Sequence, residues 1–178
     1  MRYKHVFAVC AYKDSPYLEQ CIRSLKAQTV PSHIIICTST PSSYIDRLAW
    51  KYGLQVYVRQ GESNIKDDWN FAYSMAEGGL VTIAHQDDMY HRDYSAGLLA
   101  AHKRYPDMTV FTTDYVIVKN GRLITGDAML WVKRILRLPL RVPALNHRAW
   151  VKKMSLILGN PICCPATTYQ KKMLGTPL

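Results

Sequence analysis

The chain has 178 residues, of which 23 are Lys or Arg and 13 are Asp or Glu, for a formal net charge of +10. This length suits one α/β domain with a sizeable core. No apolar stretch reaches about 18 residues, and this excludes a membrane-spanning helix. The N-terminus lacks a signal-peptide pattern, so we expect a cytoplasmic protein. The five cysteines include no C-x-x-C pair, which favours free thiols over a disulfide framework or a zinc site.

Short apolar runs alternate with helical patterns along the first part of the chain. The runs predict strands over residues 5–11, 33–38, 54–58 and 80–84. Apolar residues at helical spacing predict helices over 17–28, from Pro41 to a C-capping Gly53, over 67–77 with Gly78 and Gly79 as its end, and over 93–105. The order β-α-β-α-β-α-β predicts an α/β fold with a doubly wound, mostly parallel sheet. A hairpin is expected around Asn120 and Gly121.

The last part of the chain is strongly basic. None of the 13 acidic residues follows Asp127, whereas nine basic residues do. We therefore expect a near-neutral core domain over residues 1–127 and a basic segment over residues 128–178 that meets something anionic.

Polar residues follow three of the predicted strands. The first strand leads into Ala11-Tyr12-Lys13-Asp14, the second into Thr38-Ser39-Thr40-Pro41, and the fourth into His85-Gln86-Asp87-Asp88. In an open parallel sheet, ligands bind beyond the carboxyl ends of the strands, so we expect these three stretches to converge on one edge.

Asp87 and Asp88 are adjacent carboxylates at the end of an apolar strand. Such a pair is costly to desolvate unless it is paired, hydrated or bound to a cation, and its hard oxygens suit Mg²⁺ or Mn²⁺ carrying a diphosphate. His85 points to the same side of an extended chain as Asp87 and adds a nitrogen ligand that favours Mn²⁺. The alternative is that both carboxylates cap the helix beginning near residue 93 or stay solvated, and the pattern alone leaves both interpretations open.

Two common phosphate-binding motifs are absent. The chain contains no G-x-G-x-x-G after the first strand and no G-x-x-x-x-G-K-[ST]. These absences exclude the dinucleotide-binding fingerprint and the P-loop. We therefore expect a metal, rather than a glycine-rich loop, to hold any bound phosphates.

Four segments together resemble family 2 glycosyltransferases of the GT-A fold. They are VCAYKD at residues 9–14, SLKAQT at 24–29, WNFA at 69–72 and IAHQDD at 83–88. Their order and spacing along almost the whole chain carry the resemblance. It implies a GT-A-like, Rossmann-like sheet with a basic helical C-terminal segment.

The resemblance also implies roles for individual residues. Ala11, Tyr12 and Asp14 match the first-strand segment that contacts the base and ribose. Asp87 and Asp88 match the DxD-type motif that binds ribose and the metal diphosphate. His85 stands where many members carry the first Asp, which leaves the metal ligands open. The segment beginning at Thr38 replaces the family's acidic loop after the second strand. Asn70 fits the family's Asn-x-x-x-Ala pattern imperfectly. The alternative for Asn70 is an ordinary polar residue on the helix surface.

The segment GNPICCP at residues 159–165 resembles the acceptor side of the family's site. The resemblance places Gly159 and Asn160 near the acceptor, and a turn followed by a short buried strand is the alternative. The family's catalytic base is an Asp or Glu shortly after this segment, but residues 165–178 contain no acid. We therefore expect a C-terminally truncated chain without its base, unless Asp114 or Asp127 serves instead.

The resemblance implies inverting transfer of a sugar from a nucleotide-diphospho-sugar, such as a UDP-sugar, with Mn²⁺ or Mg²⁺ as cofactor. The implied acceptor is a saccharide or a lipid-linked sugar, in the synthesis of cell-surface polysaccharide. The alternatives are a truncated or degenerate module that binds nucleotide without turnover, and a nucleotidyltransferase. The usual glycine-rich basic loop of a nucleotidyltransferase is missing after the first strand.

The basic segment has an amphipathic pattern. Over residues 128–138, Trp131, Ile135 and Leu138 fall on one helical face, while Lys133, Arg134 and Arg137 fall towards the other, and Pro139 and Pro143 are expected to interrupt the helix. Residues 150–158 form a second such piece. This pattern suits an anionic membrane surface at the inner face of the membrane. A core-facing apolar side with a solvated charged side is the alternative, and no nucleic-acid-binding module is recognisable.

Overall fold

The computed structural model describes residues 2–119, 121–124, 126–157 and 159–175. The chain divides into two compact units, the first formed by Met1–Phe111 with Thr167–Leu178 and the second by Thr112–Ala166. These units are defined by contacts between residues, whereas the boundary expected after residue 127 rests on charge and stays a prediction. Within the described residues, no helix is long and apolar enough to cross a membrane.

Strands and helices alternate through most of the chain. The strands are β1 (Tyr3–Ala11), β2 (His33–Thr38), β3 (Gln55–Val58), β4 (Gly78–His85), β5 (Val110–Thr112), β6 (Ile117–Lys119), β7 (Arg122–Ile124) and β8 (Thr167–Gln170). The helices are α1 (Leu18–Lys26), α2 (Ser43–Tyr52), α3 (Ile65–Met75), α4 (Tyr94–Arg104), α5 (Ala128–Arg141), α6 (Ala149–Ile157) and α7 (Lys171–Leu174).

The main sheet has the strand order β3-β2-β1-β4-β8-β5. β1 pairs in parallel with β2 and with β4, and β2 pairs in parallel with β3. β8 returns late in the chain and pairs antiparallel with β4. The prediction of a doubly wound, mostly parallel α/β sheet is therefore confirmed.

The sheet is buried on both faces. Phe7 and Val9 of β1 pack with residues of α1 and α2 on one side, whereas Val6 and Ala8 pack with residues of α3 on the other. Successive side chains of a strand point to opposite faces, so a strand covered on both sides must be apolar throughout. This explains why the strands are continuous apolar runs.

The sequence pattern predicts that Gly78 ends the preceding helix, but Gly78 is instead the first residue of β4. Helix α3 already ends at Met75, and Gly78 lies opposite Tyr3 in the sheet. A Cβ atom on Gly78 would lie 2.7 Å from Cγ2 of Val6 and 2.9 Å from the carbonyl oxygen of Leu80. Glycine is therefore required here because the backbone passes too close to its neighbours for a side chain.

A buried chain of polar side chains crosses the sheet near β8. The imidazole of His5 forms hydrogen bonds with Ser32 Oγ and with Thr82 Oγ1, each 2.8 Å long. Thr82 Oγ1 lies 2.5 Å from Thr168 Oγ1, which lies 2.8 Å from the hydroxyl of Tyr94. Burial lowers the pKa of His5 to about 3, so the ring is neutral in the folded protein.

The second unit contains a hairpin and two helices. β6 and β7 pair antiparallel, as predicted for a hairpin, although Asn120 lies outside the described residues. Helix α5 begins at Ala128 and is capped by Asp127, whose carboxylate accepts from the N–H groups of Met129 and Leu130. The helix continues through Pro139 to Arg141, so the interruption predicted at Pro139 is wrong, whereas the helix does end before Pro143. Pro139 lies in the last turn, where the loss of one N–H donor disturbs few helical hydrogen bonds.

Candidate functional site

The sheet has a topological switch point between β1 and β4. From β1 the chain moves outward to β2 and β3 on one side, whereas β4 lies on the other side of β1. In open α/β sheets, ligands bind in the crevice outside the carboxyl ends of the strands at such a point. Tyr12 follows β1 and residues 86–88 follow β4, so the polar loops predicted from the sequence do flank this crevice.

Gln86 joins the two loops directly. The backbone N–H of Tyr12 donates to Oε1 of Gln86 over 2.9 Å, and Nε2 of Gln86 donates to the carbonyl oxygen of Tyr12 over 3.1 Å. A side-chain amide thus pairs with the backbone as a neighbouring strand would. Gln86 is not among the site residues predicted from the sequence, although its place between His85 and Asp87 is a signal that points to it.

Polar side chains that follow β2 hold the rest of the first loop. The backbone N–H of Lys13 donates to Thr40 Oγ1 over 2.7 Å, and the hydroxyl of Ser42 donates to Oδ1 of Asp14 over 2.6 Å. Lys13 has φ of 52°, an uncommon conformation for a residue with a side chain. The loops after β1 and β2 therefore meet, as expected. Tyr12 is 45% exposed, which leaves its ring available to a ligand.

Thr38 and Ala11 lie opposite each other in the sheet at the ends of β2 and β1. Both are buried, and Oγ1 of Thr38 accepts from the backbone N–H of Thr40 over 3.0 Å. In this structure Thr38 shapes the turn into the loop, and Ala11 forms part of the core beneath it.

His85, Asp87 and Asp88 form the predicted cation-binding group. Each offers one ligand atom, and these atoms all lie within 4.8 Å of one another. His85 Nδ1 is 3.8 Å from Oδ2 of Asp88. Burial, together with the charge of Asp87, raises the pKa of Asp88 to about 6. A cation placed between these atoms would neutralise the two carboxylates and remove that unfavourable interaction.

The ring of Trp69 packs on His85, with centroids 4.8 Å apart and the planes inclined by 35°. His85 Nε2 is buried without a hydrogen-bond partner among the described residues, and burial lowers the pKa of the ring. The side of the ring that carries Nδ1 faces Asp88. A neutral imidazole with two carboxylates supplies one nitrogen and two oxygen donors, a set that fits Mn²⁺.

Residues of the SLKAQT segment hold the loop that follows the aspartates. The hydroxyl of Ser24 accepts from the backbone N–H of Tyr90 over 3.1 Å. Gln28 donates to the carbonyl oxygen of His91 and accepts from the N–H of Ser95, each over 2.9 Å. Through these contacts, the SLKAQT segment supports the loop that follows Asp87 and Asp88.

The capping interpretation of the aspartate pair is wrong. Helix α4 begins at Tyr94, and the residue at its N-cap is Asp93. Asp88 instead closes a turn in which its backbone N–H donates to the carbonyl oxygen of His85 over 3.2 Å.

Asp68 organises the side of the crevice near β2 and β3. Its carboxylate accepts from Arg59 Nε over 2.7 Å, from Ser39 Oγ over 3.0 Å and from Ser63 Oγ over 2.8 Å. Burial would raise the pKa of Asp68, but the hydrogen bonds from Arg59 and the two serines hold it below its ordinary value. This cluster could not be predicted from the sequence, because its members are brought together only by the fold.

Asn70 lies in α3, half-buried, and its Nδ2 donates to the carbonyl oxygen of Lys66 over 2.9 Å. This contact lies within the helix itself. A role in nucleotide-sugar binding stays a prediction for this residue.

The remaining predicted residues lie in the second unit. Asp114 accepts from Arg134 Nε over 2.8 Å and also from Nη2 of Arg137. Asp127 caps α5. Asn160 Oδ1 accepts from the backbone N–H of Ile162 over 3.0 Å, within a turn that follows Gly159.

Comparison with known proteins identifies the family. The family model for glycosyl transferase family 2 matches residues 6–158, and the chain belongs to that family. Its fold is the GT-A fold, with a mostly parallel sheet flanked by helices. A search of curated proteins found no match.

Several solved glycosyltransferase structures share this fold. TarS of S. aureus, residues 1–349 in complex with UDP, superposes with a TM-score of 0.65 at 19% identity, covering 96% of this chain and 48% of that one. The mannosyltransferase PcManGT of Pyrobaculum calidifontis, with GDP-Man and Mn²⁺, gives 0.63 at 12% identity, covering 98% and 46%. Glucosyl-3-phosphoglycerate synthase of Mycobacterium tuberculosis, with Mn²⁺, UDP-glucose and phosphoglyceric acid, gives 0.62 at 12% identity, covering 97% and 58%. This chain thus spans about half the length of these solved chains.

Proposed function

We propose that this chain binds a UDP-sugar with a divalent cation and takes part in inverting transfer of the sugar to a saccharide or lipid-linked acceptor. The observation that carries the proposal is the His85, Asp87 and Asp88 group at the switch point, joined to Tyr12 through Gln86. A cation site next to a loop with an exposed aromatic side chain suits a nucleoside diphosphate, whose phosphates bind the cation and whose base stacks on aromatic rings.

The choice of uridine rests on the structural neighbours. TarS has been solved with UDP and with UDP-GlcNAc, and the mycobacterial synthase with UDP-glucose and Mn²⁺. PcManGT has been solved with GDP-Man, so guanosine is the competing base. Tyr12, Asp14 and the cluster around Asp68 are the groups in this chain that would contact the nucleoside.

Three side chains, those of His85, Asp87 and Asp88, would together bind the cation that holds the diphosphate. A bound cation neutralises the charge that develops on the departing diphosphate. Asp87, which is exposed, and Asp88, which is partly buried, would supply the two anionic ligands, and Nδ1 of His85 would supply a neutral one. Because a nitrogen donor suits Mn²⁺ better than Mg²⁺, we propose Mn²⁺ as the preferred ion.

The general base is not assigned to either acid of the second unit. Asp114 is paired with Arg134 and Arg137, and these bonds outweigh burial and hold its pKa below the ordinary value. A carboxylate with a lowered pKa is a weak proton acceptor. Asp127 is engaged by two backbone N–H groups at the start of α5. We therefore expect neither acid to serve as the base, and we expect the 178-residue chain to bind donor but to transfer sugar slowly, since the loss of general-base catalysis reduces rates by about 10²–10⁴.

Isothermal titration calorimetry with UDP tests the proposal. UDP is expected to bind in Mn²⁺, more weakly in Mg²⁺ and very weakly in EDTA, and Asp88→Ala is expected to abolish the effect of the metal. Asp107→Ala is a matched control, because Asp107 is an exposed carboxylate in a turn outside the crevice. Equal UDP affinity in Mn²⁺ and EDTA, or an unchanged affinity in Asp88→Ala, would contradict the metal-dependent site.

A further inference from the structure

Helix α5 of the second unit exposes its apolar face. Trp131, Ile135 and Leu138 are 55%, 59% and 53% exposed, respectively. Contiguous exposed apolar residues on a protein surface are typical of sites that contact other proteins or membranes. The alternative of a core-facing apolar side with a solvated charged side is therefore wrong for α5.

The opposite, basic face of α5 holds the helix in this orientation. Arg137 is buried and donates to the carbonyl oxygen of Thr113 over 2.8 Å and to Asp114. Arg134 donates to the same carboxylate, and Nζ of Lys133 lies 5.5 Å from the ring centre of Tyr115. Rotating the apolar face inward would break these contacts and leave Asp114 without its two arginines, so the outward apolar face is a stable feature of the unit.

Helix α6 adds a second exposed surface that is both apolar and cationic. It packs against α5, where Ser155 Oγ donates to the carbonyl oxygen of Leu136 over 3.1 Å, and Val151 is buried beside that contact. The other described residues of α6 are exposed. They are Ala149, Trp150, Lys152, Lys153, Met154, Leu156 and Ile157.

The charge available on these helices is entirely positive. Asp114 and Asp127 are the two acids between residues 112 and 166, and both are engaged, one by arginines and the other by helix N–H groups. The exposed cations are Arg141, Arg148, Lys152 and Lys153, and within the described part of the chain none of them forms an ion pair.

We propose that the exposed residues of α5 and α6 form a surface that binds an anionic lipid bilayer. This cationic–apolar surface comprises the exposed face of α5, the exposed side chains of α6, and Arg141 and Arg148 between them. Tryptophan and aliphatic side chains enter the headgroup region of a bilayer, while lysine and arginine pair with its anionic lipids. A second copy of the chain fits this surface poorly, because a two-fold symmetric contact would bring two copies of the same cationic surface together.

Vesicle sedimentation of the full chain without nucleotide tests this surface separately from donor binding. The chain is expected to pellet with vesicles that mix phosphatidylglycerol with phosphatidylcholine, and far less with phosphatidylcholine alone, and added NaCl is expected to release it. Lys152→Gln/Lys153→Gln is expected to weaken partitioning about 30-fold. Trp131→Ser is expected to weaken it roughly tenfold, because an apolar anchor is lost.

Matched variants control for general effects of charge and hydrophobicity. Lys103→Gln/Arg104→Gln removes two adjacent exposed cations from α4, and Trp50→Ser removes a tryptophan on α2 that is 88% exposed. Both are expected to leave partitioning unchanged. Equal pelleting with neutral and anionic vesicles, or no pelleting with either, would overturn the proposal. So would a dimer in sedimentation velocity that Trp131→Ser dissociates, since this face would then join two copies. Circular dichroism of each variant confirms that the fold is retained.

Discussion

The side-chain amide of Gln86 hydrogen-bonds both the N–H and the carbonyl oxygen of Tyr12, although the two residues are 74 positions apart in the chain. One side chain therefore joins the loop that carries the proposed metal ligands to the loop proposed to hold the nucleoside. We expect binding of the cation and binding of the nucleotide to be linked through this contact.

Replacing Gln86 by Ala is expected to weaken UDP binding in Mn²⁺ about 30-fold. Two hydrogen bonds that position the loops would be lost, each contributing about 1 kcal/mol. Calorimetry gives the dissociation constant, and Gln20→Ala, an exposed glutamine on α1, is the matched control. An unchanged UDP affinity in Gln86→Ala would show that the hydrogen bonds between Gln86 and Tyr12 play no part in arranging the site.

Replacing His85 by Ala is expected to narrow the preference for Mn²⁺ over Mg²⁺ in UDP binding. The remaining ligands, Asp87 and Asp88, offer oxygen atoms alone, and oxygen ligands suit Mg²⁺. The ratio of UDP dissociation constants in the two metals is the measurement. His147→Ala, an exposed histidine in the second unit, should leave that ratio as it is. A ratio that does not change in His85→Ala would remove the imidazole from the ligand set.

Replacing Asp114 by Asn is expected to destabilise the protein by about 1–3 kcal/mol and to leave UDP affinity unchanged. The buried guanidinium of Arg137 would lose its charged partner, and an unpaired buried charge is unfavourable. Chemical denaturation measures the stability, and Asp127→Asn is the milder comparison because asparagine also caps helices well. A stable Asp114→Asn protein that binds donor but loses all transfer would instead identify Asp114 as the base.

The free energy of unfolding is expected to fall as the pH drops from 6.5 towards 3, partly because of His5. The folded protein keeps this ring neutral, with its pKa near 3, whereas the unfolded chain protonates it at about the ordinary value of 6.5. The unfolded state therefore binds more protons in this window, and stability rises with pH. At pH 4.5 the loss from this group is about 2–3 kcal/mol.

Urea titrations at several pH values compare the protein with His5→Gln. In the variant, the free energy of unfolding is expected to depend less on pH between pH 4 and 6.5, because the buried imidazole with the lowered pKa is absent. His33, whose pKa is also lowered by partial burial, remains in both proteins and contributes equally to each. Parallel curves for the two proteins would mean that His5 titrates normally in the folded state.

The sheet and the clustering of His85, Asp87 and Asp88 could be predicted from local patterns. Continuous apolar runs mark strands covered on both faces, and the carboxyl ends of parallel strands meet at one edge. The order of elements alone therefore predicts that His85, Asp87 and Asp88 lie at that edge. Their closeness in space follows from their being neighbours in one loop. Predictions of this kind succeed because residues adjacent in sequence remain adjacent in the fold.

Contacts between distant segments could not be predicted in the same way. The partners of Gln86 and Asp68 depend on how the loops lie across the crevice, and composition carries no such information. For α5, the pattern separates an apolar face from a basic one but does not say which face is inward. That choice depends on Asp114, an acid from another segment that recruits Arg134 and Arg137 to the interior of the unit.

The late return of β8 has a consequence for how the chain folds. The edge of β4 is completed by residues 167–170, and the pairing of Thr82 with Thr168 joins positions 86 apart. During synthesis, β4 therefore leaves the ribosome long before its partner does, and one of its backbone edges stays open while the whole second unit is made. Pairings so far apart in sequence form slowly, and an open apolar strand edge is a template for association with other chains. The nascent chain is thus most vulnerable to misassembly in the interval between β4 and β8.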